Sequence, residues 1–179
     1  MTSTTTSSTP VLAGKVAFVT GGSRGIGAAI VRRLARDGAA VAFSYSSSQA
    51  VAEELARSLE AEGGRALALK IDSADAEALK AGIDQAARHF GGRIDILVNS
   101  AGVLHLGPVE QLTLADFDRT IAVNVRAVFV AIQAALAHMG SGGRIVNIGS
   151  TNAERMPFAG GSIYAMSKSA LTGPVSYTH

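Results

Sequence analysis

The sequence predicts an α/β protein in which helices cover both faces of a doubly wound parallel sheet. Short apolar runs alternate along the chain with longer segments of helical periodicity, which is the pattern of successive βαβ units. A glycine-rich stretch follows the first apolar run directly. The 179 residues suffice for one domain with a sizeable core, and no repeat or linker divides them.

Composition narrows the class of protein further. Apolar residues make up 47% of the chain, and the absence of cysteine excludes disulfides and thiolate metal sites. His89, His105 and His138 lack the spacing of metal ligands, so no metal site is predicted. The formal charge is only +2 and the basic residues are scattered, which disfavours a nucleic-acid surface. No apolar run is long enough to predict a membrane span.

The N-terminal segment 1–12 is predicted to be a disordered tail ahead of the domain at 13–173. Its first ten residues are almost all Ser and Thr, with neither the basic start nor the apolar centre of a signal peptide.

The first half of the domain contains three predicted strands, each followed by a helix. In the first helix Ile26, Ile30 and Leu34 share one face, and Gly38 closes it as a C-cap. Paired glycines end the second and third helices. The predicted strands span 15–20, 40–44 and 65–71, and the helices span 25–37, 50–62 and 76–90.

The second half continues the alternation with longer connections. A fourth strand at 94–98 ends at Asn99-Ser-Ala-Gly102, and a single long helix is predicted over 114–139. A fifth strand at 143–148 ends at Gly149-Ser150, and a last helix starts near Ser162. Because ligands of such sheets bind at the carboxyl ends of the strands, the residues after each strand are the candidates for function.

The stretch from Thr20 to Gly27, Thr-Gly-Gly-Ser-Arg-Gly-Ile-Gly, joins the first strand to the first helix. A strand, a glycine turn and a helix form a phosphate site, because glycines let the backbone approach a pyrophosphate and the helix N–H groups point at it. The spacing is Gly-x3-Gly-x-Gly, and taken alone an ordinary tight turn explains it equally well. The candidate cofactor residues here are Gly21, Ser23, Arg24, Gly25, Ile26 and Gly27.

The end of the second strand bears on the choice of cofactor. An NAD site requires an acid about 20 residues past the glycine turn, yet no acid occurs between Asp37 and Glu53. The hydroxyls of Ser44, Tyr45 and Ser46 suit a 2′-phosphate, to which Arg24 adds a charge-assisted bond. This favours NADP(H) over NAD(H). If the serine run is only a solvated loop, the cofactor choice stays open.

Asp72, after the third strand, has two interpretations. It can accept a hydrogen bond from an adenine amino group, or it can cap the following helix. Spacing alone favours the cap.

Tyr164 and Lys168 form the most informative local pair. Residues at i and i+4 share a helix face, and an ammonium beside a phenol favours the phenolate. Tyr164 is therefore a candidate general acid–base, the alternative being a chance pair on an exposed helix. Ser150 is placed to hold a substrate carbonyl, or is simply a turn or cap serine. Asn124 lies on a core helix and requires a polar partner.

Taken in order, these motifs resemble the signature of the classical short-chain dehydrogenases/reductases, nearest to the 3-oxoacyl-carrier-protein-reductase-like subgroup. The resemblance covers about 14–171 and implies a Rossmann-type sheet. Its motifs are Thr20–Gly27, Asn99–Gly102, Asn124, Ser150 and Tyr164-x-x-x-Lys168.

The resemblance implies a role for each candidate. Tyr164 would give the proton to the carbonyl oxygen while NADPH delivers hydride. Lys168 would favour the Tyr164 phenolate and hydrogen-bond the nicotinamide ribose. Ser150 would orient the carbonyl, and Asn124 would hold a water that links Lys168 to solvent.

The remaining implied contacts concern the cofactor and partners. Asn99, Ala101 and Gly102 would support the sheet and line the cofactor, and Asp72 would meet the adenine. The expected partners are a small carbonyl or alcohol substrate and further copies of the chain, as a dimer or tetramer in the cytoplasm. The alternative is a nucleotide-binding or regulatory protein of the same fold without turnover.

Three departures from the family pattern qualify these expectations. The second motif reads Asn-Ser-Ala-Gly where Asn-Asn-Ala-Gly is commoner. Tyr164 follows Ser150 by fourteen residues, one more than usual, so Thr151 is a rival for the hydroxyl role. Family chains also continue well past the Tyr-Lys helix, whereas 174–179 is an atypical tail. A truncated sheet with an exposed apolar fifth strand, and an inactive or poorly folded fragment, are therefore expected.

Overall fold

The computed structural model describes residues 9–172, which build one five-stranded sheet between helices. The strands are β1 Val16–Thr20, β2 Ala40–Tyr45, β3 Arg65–Lys70, β4 Ile96–Asn99 and β5 Arg144–Asn147. All neighbouring strands are parallel, in the order β3-β2-β1-β4-β5. The chain passes from β3 across to β4, so the order of winding reverses beside β1. The predicted doubly wound sheet is confirmed.

Two helical layers bury the sheet. The helices are α1 Gly25–Arg36, α2 Gln49–Ala61, α3 Ala76–His89, α4 Leu114–Ile121, α5 Ala127–Leu136 and α6 Ser162–Ser169. Alternate residues of β1 point to opposite layers: Phe18 packs in the core beneath α3 and α5, and Val19 packs beneath α1 and α2. Every residue of β1 and β2 is buried, which explains their continuous apolar runs.

The long helix predicted over 114–139 is divided. Between α4 and α5 the backbone forms one π-helical turn, Ala122–Arg126, with Asn124 at its centre. A π turn adds one residue to the helix and is often found at functional sites. The interruption therefore falls on a predicted site residue.

Helix α1 differs from the prediction that Ile26, Ile30 and Leu34 form one apolar face. Ile30 and Leu34 pack against the core as predicted, but Ile26 is 65% exposed and Val31 is the fully buried residue. Ile26 belongs to the first turn, beside the cleft described below, so it is free of the core. Gly38 has a φ of +99°, as the predicted C-cap requires.

The start of the domain also differs from the prediction. Residues 1–8 lie outside the described part, but the backbone N–H of Leu12 donates to Asp37 O at 2.8 Å and its side chain packs against the core. The ordered chain thus begins before residue 13. The atypical segment 174–179 lies outside the described residues.

One helical stretch, Leu114–Leu136, is long and apolar enough to cross a membrane by length and composition, which the sequence-based expectation did not anticipate. Half of its most apolar window is buried inside the protein, where α5 packs against α3. Through α5 the stretch contributes Ala127, Ala131, Ala134 and Ala135 to the core of the domain.

Strand β5 forms one edge of the sheet within residues 9–172. Its Ile145 and Val146 are 37% and 46% exposed, so the predicted apolar edge strand is present in the described part of the chain.

Asp95, at the opposite end of the sheet from the predicted site, ties β1 to the loop before β4. Its carboxylate accepts from Val16 N at 2.9 Å and from Arg93. Burial opposes the charge, but these hydrogen bonds outweigh it and hold the pKa of Asp95 below its ordinary value of 3.8.

We expect Asp95→Asn to destabilise the protein at neutral pH and to matter less in acid. Because the pKa is lowered by folding, the stabilisation is present above about pH 3.8 and is lost as the pH falls through the folded-state value. Urea unfolding of both proteins at several pH values measures this. Asp118→Asn, at an exposed position, is the control, and a stability difference that does not shrink in acid would contradict the prediction.

Candidate active site

A cleft of about 300 Å³ lies at the carboxyl ends of the central strands. It is bounded by the glycine turn after β1, the serine run after β2, Asp72 after β3 and the loop after β4. The structure therefore brings predicted cofactor residues from all four strands to one place, while the predicted residues Gly25, Asn99, Tyr164 and Lys168 are not part of the lining. The lining comprises Gly21, Ser23, Arg24, Ile26, Gly27, Ser44, Tyr45, Ser46, Ser47, Ser48, Ile71, Asp72, Ser73, Ser100, Ala101, Gly102, Val103, Arg119, Val123 and Ile148.

The glycine turn requires its glycines for close backbone approach. Gly21 has a φ of +66°, and a Cβ there would lie 2.9 Å from Ala101 Cα. A Cβ on Gly27 would lie 2.2 Å from Gly21 O. The first turn of α1 is thus folded onto the loop, and the loop onto the Asn99–Gly102 segment. Gly25, with a φ of +55°, has open space where a Cβ would stand.

A row of polar side chains at the ends of β2, β1, β4 and β5 holds these loops. Ser44 Oγ accepts from Gly21 N at 3.0 Å, and Thr20 Oγ1 accepts from Ser100 N and Ala101 N, each at 3.0 Å. Asn99 donates to its register partner Asn147 at 2.8 Å. We call Ser44, Thr20, Asn99 and Asn147 the polar row. Each of its first two members binds the loop of a neighbouring strand.

We expect Thr20→Val to destabilise the protein by about 1–3 kcal/mol, because it leaves two backbone N–H groups without an acceptor. Thr20→Ser keeps the hydroxyl and is the matched control. Urea unfolding measures the difference, and equal stability of the two variants would refute the role of the hydroxyl.

The serine run after β2 divides into buried and exposed parts. Ser44 is 1% exposed and binds the glycine turn, and Tyr45 is 7% exposed and packs in the core. Both line the cleft, and Ser44 Oγ serves there as an acceptor for the glycine turn; that these two side chains read a 2′-phosphate stays a prediction. Ser46 is exposed at the cleft, as is Arg24, whose side chain has no hydrogen-bond partner among residues 9–172.

Asp72 does not cap α3, so the sequence-based preference for a cap is wrong. The N-cap is Asp75, whose side chain accepts from Ala78 N. Asp72 instead accepts from Ala74 N at 3.0 Å and from Arg119 Nη1 at 2.9 Å. The hydrogen bond from Arg119 is the largest of the effects that lower the pKa of the Asp72 carboxyl. Asp72 is therefore a carboxylate that faces the cleft.

Asn124, fully buried in the π turn, has the backbone partner that was one of its two predicted kinds, a backbone group or water, and a side-chain partner that was not predicted. Its Oδ1 accepts from Val103 N at 2.9 Å, and its Nδ2 donates to Val103 O at 3.0 Å and to Ser167 Oγ at 2.9 Å. Ser167 in turn donates to Tyr164 O at 2.7 Å. The amide thus joins the loop after β4 to helix α6.

Lys168 and Tyr164 share a face of α6, with Lys168 Nζ 5.9 Å from the centre of the Tyr164 ring. Lys168 is only 6% exposed, and its ammonium donates to Ile148 O at 2.8 Å. Burial lowers the pKa of Lys168 from its ordinary value of 10.5. A Cβ on Gly102 would lie 3.8 Å from Lys168 Nζ and 3.6 Å from Asn124 Oδ1, so these groups converge at the end of the cleft.

Ser150 and its rival Thr151 lie in the loop after β5. Ser150 Oγ accepts from Asn152 N at 3.1 Å and caps a short 3₁₀ helix, Thr151–Ala153. This capping role was the alternative interpretation, and it leaves the hydroxyl proton free to donate. Among residues 9–172, neither hydroxyl forms a hydrogen bond with Tyr164.

Sequence reasoning missed three side chains whose hydrogen bonds hold the predicted site residues in place. Thr20 was read only as the start of the glycine motif. Ser167 lies inside the Tyr164–Lys168 interval, and its spacing from Tyr164 was a usable signal. Arg119 reaches Asp72 across 47 positions, for which no local pattern exists.

The sheet is parallel and its order of winding reverses beside β1. A glycine turn opens the first helix at this point, and a buried lysine lies beside the cleft. These features define a doubly wound α/β protein whose cleft has the form of a nucleotide-binding site. The chain belongs to the short chain dehydrogenase family, whose family model matches residues 15–177. The resemblance inferred from the motifs is confirmed.

Known proteins agree with this assignment. A short-chain dehydrogenase/reductase from Serratia marcescens is 62% identical, with a TM-score of 0.89 over 92% of this chain and 66% of that chain. A short chain dehydrogenase from Burkholderia cenocepacia, solved with NADP, is 55% identical, with a TM-score of 0.89 over 91% and 66%. The cyclic-di-GMP-binding biofilm dispersal mediator protein of Escherichia coli is 46% identical over 160 residues, which are 89% of this chain and 63% of that protein. The chain thus spans slightly under two thirds of these relatives.

Proposed function

We propose that this chain carries the cofactor site and the catalytic side chains of an NADP(H)-dependent oxidoreductase that interconverts a carbonyl group and an alcohol. The observation that supports this most is the convergence of Lys168 and Asn124 on Gly102, with Tyr164 on the same helix face as Lys168. No member of the set Asn124, Ser150, Tyr164 and Lys168 is replaced. A complete set favours turnover over a purely regulatory protein of the same fold.

The residues of the cleft fit a dinucleotide phosphate. The glycine turn presents backbone N–H groups and open space at Gly25, which suits a pyrophosphate. Arg24 and Ser46, both exposed at the cleft, would hold a 2′-phosphate. Asp72 would accept from the adenine amino group, and Ala101, Gly102 and Lys168 would line the nicotinamide side. The relative from Burkholderia cenocepacia, whose structure contains NADP, supports this choice of cofactor.

The chemistry that we assign to the chain is a proton transfer. When bound, NADPH supplies the hydride for the carbonyl carbon. Tyr164 donates its phenolic proton to the carbonyl oxygen, which yields the alcohol, and the Lys168 ammonium stabilises the phenolate that remains. Ser150 keeps its proton and donates a hydrogen bond to the carbonyl oxygen, which orients it. Asn124 holds the Gly102–Val103 segment in place and would position a water that returns the proton to Tyr164 through Lys168.

The substrate that we favour is an apolar ketone or a 3-oxoacyl group. Leu104 and Leu106, in the loop after β4, are 50% and 54% exposed, and Phe158, in the loop before α6, is 49% exposed. Gly107 N donates to Gly160 O at 2.9 Å, which fixes the two loops to each other. Exposed apolar side chains on loops joined in this way suit an apolar substrate.

A fluorescence titration with NADPH and NADH tests the cofactor assignment. We expect tighter binding of NADPH, because no acid lies at the serine run. Arg24→Ala should weaken NADPH binding about tenfold or more while leaving NADH binding unchanged, since only NADPH carries the 2′-phosphate. Arg33→Ala, on the exposed side of α1, is the control. Tighter binding of NADH would contradict the assignment.

We also propose that the protein acts as a homo-oligomer in the cytoplasm. Phe129 and Leu136 lie two turns apart on α5 and are 66% and 52% exposed, which is unusual for large apolar side chains on a core helix. Sedimentation velocity of the protein and of Phe129→Glu tests this. A monomer in both cases would refute it.

A further inference from the structure

We propose that Arg119 is a positioning residue that holds the Asp72 carboxylate in the orientation that receives an adenine amino group. The inference rests on the proposed function, because it concerns the adenine end of the cofactor cleft. It assigns to α4, a helix otherwise outside the phosphate site, a part in cofactor binding.

The contacts hold Asp72 from two sides. Arg119 Nη1 donates to Oδ2 at 2.9 Å, and Ala74 N donates to Oδ1 at 3.0 Å. Both Arg119 and Asp72 line the cleft and are about half exposed. Each carboxylate oxygen has more than one acceptor site, so both remain able to accept a further hydrogen bond from the cleft side. The hydrogen bond from Arg119 also lowers the pKa of Asp72, which keeps it an acceptor.

The helix containing Arg119 is fixed to the same loop at a second point. Arg126 lies seven residues later, in the π turn, and its Nη2 donates to Ala74 O at 2.9 Å. The two arginines thus bind the segment after β3 from one helical surface. Only Arg119 contacts the carboxylate and lines the cleft, so Arg126 offers a matched control for anchoring the loop.

A competing role for Arg119 is direct binding of the 2′-phosphate. The geometry disfavours it, because the Arg119 guanidinium is already paired with a carboxylate, which offsets its charge. Arg24 lines the same cleft and has no such partner within residues 9–172. A phosphate would therefore meet more positive potential at Arg24 than at Arg119.

The test is a double-mutant cycle read by fluorescence titration with NADPH and NADH. The proteins are the unaltered chain, Arg119→Ala, Asp72→Ala, the double variant, and Arg126→Ala as control. We expect Arg119→Ala to raise the Kd of both cofactors by about 3- to 10-fold, the effect of one hydrogen bond to a charged group. In the Asp72→Ala background the same change should have no further effect, because Arg119 acts through that carboxylate.

Several results would overturn the inference. A loss confined to NADPH would make Arg119 a phosphate ligand. If the effects of Arg119→Ala and Asp72→Ala on the Kd were additive in the double variant, or if Arg119→Ala had no effect, Arg119 would not act through the Asp72 carboxylate. An equal loss in Arg126→Ala would reduce the role to anchoring of the loop. If the unaltered chain binds neither cofactor, the proposed function fails and the inference fails with it, whereas the other results overturn the inference alone.

Discussion

Replacement of Tyr164 by phenylalanine is expected to lower kcat by about 10²–10⁴-fold, the usual contribution of a positioned general acid. The substitution removes one oxygen and keeps the ring, so the packing of α6 is retained. Because the chain spans 66% of the Serratia marcescens relative, the assay uses a chimera in which that relative supplies the sequence after residue 172. Oxidation of NADPH with a panel of apolar ketones measures turnover, and a fluorescence titration measures NADPH binding.

The binding of NADPH should change by no more than about twofold in this variant, since the phenol acts on the substrate and not on the phosphates. Met166→Leu, on an exposed position of the same helix, is the control and should keep its turnover. Undiminished turnover of Tyr164→Phe would refute the acid–base role. A loss of NADPH binding equal to the loss of turnover would assign Tyr164 to the cofactor site alone.

The second large effect is expected at Gly27. Gly27→Ala should destabilise the protein by about 3 kcal/mol and weaken NADPH binding at least tenfold. The added Cβ would lie 2.2 Å from Gly21 O, and backbone atoms cannot yield as the end of a flexible side chain does. Either α1 moves away from the glycine turn or the turn itself opens. Both changes displace the backbone N–H groups that would bind the phosphates. Urea unfolding and a fluorescence titration measure the two effects.

Gly140→Ala provides the control for this prediction. Gly140 lies at the other end of the molecule from the cleft, and a Cβ there would meet nothing within 4 Å. Its substitution should change stability by no more than about 0.5 kcal/mol. If Gly27→Ala were tolerated equally well, the close approach between α1 and the turn would not be a requirement of the fold.

The strands and most helices were predictable because their signals are local. Continuous apolar runs indicate strands buried on both faces, and their observed bounds differ from the predicted ones by no more than two residues. The π turn at Asn124 was not predictable, because its sequence, Ala-Val-Asn-Val-Arg, is compatible with an ordinary helix. Its geometry depends on contacts with Val103 and Ser167, which are distant in sequence.

The candidate site shows the same division. The positions of Tyr164 and Lys168 on one face follow from helix periodicity alone. The hydrogen-bond partners of the serine run could not be predicted from the sequence, because a hydroxyl that can bind a ligand can equally bind a neighbouring backbone N–H. Ser44 bonds to Gly21, and only the three-dimensional register of β1 and β2 decides this. Asp72 similarly has one partner in its own loop, Ala74 N, but its side-chain partner, Arg119, comes from α4.

The polar row has a consequence for how the site is acquired during folding. Gly21 N is satisfied only when β2 lies beside β1, and Ser100 N and Ala101 N only when β1 lies beside β4. The glycine turn is therefore completed within the β1-α1-β2 unit, whereas the loop after β4 acquires its acceptor from β1, outside its own βαβ unit. The amides of Ser100 and Ala101 share one acceptor and should exchange with solvent deuterium together, at a rate set by separation of β1 from β4, whereas Gly21 N should exchange on separation of β1 from β2.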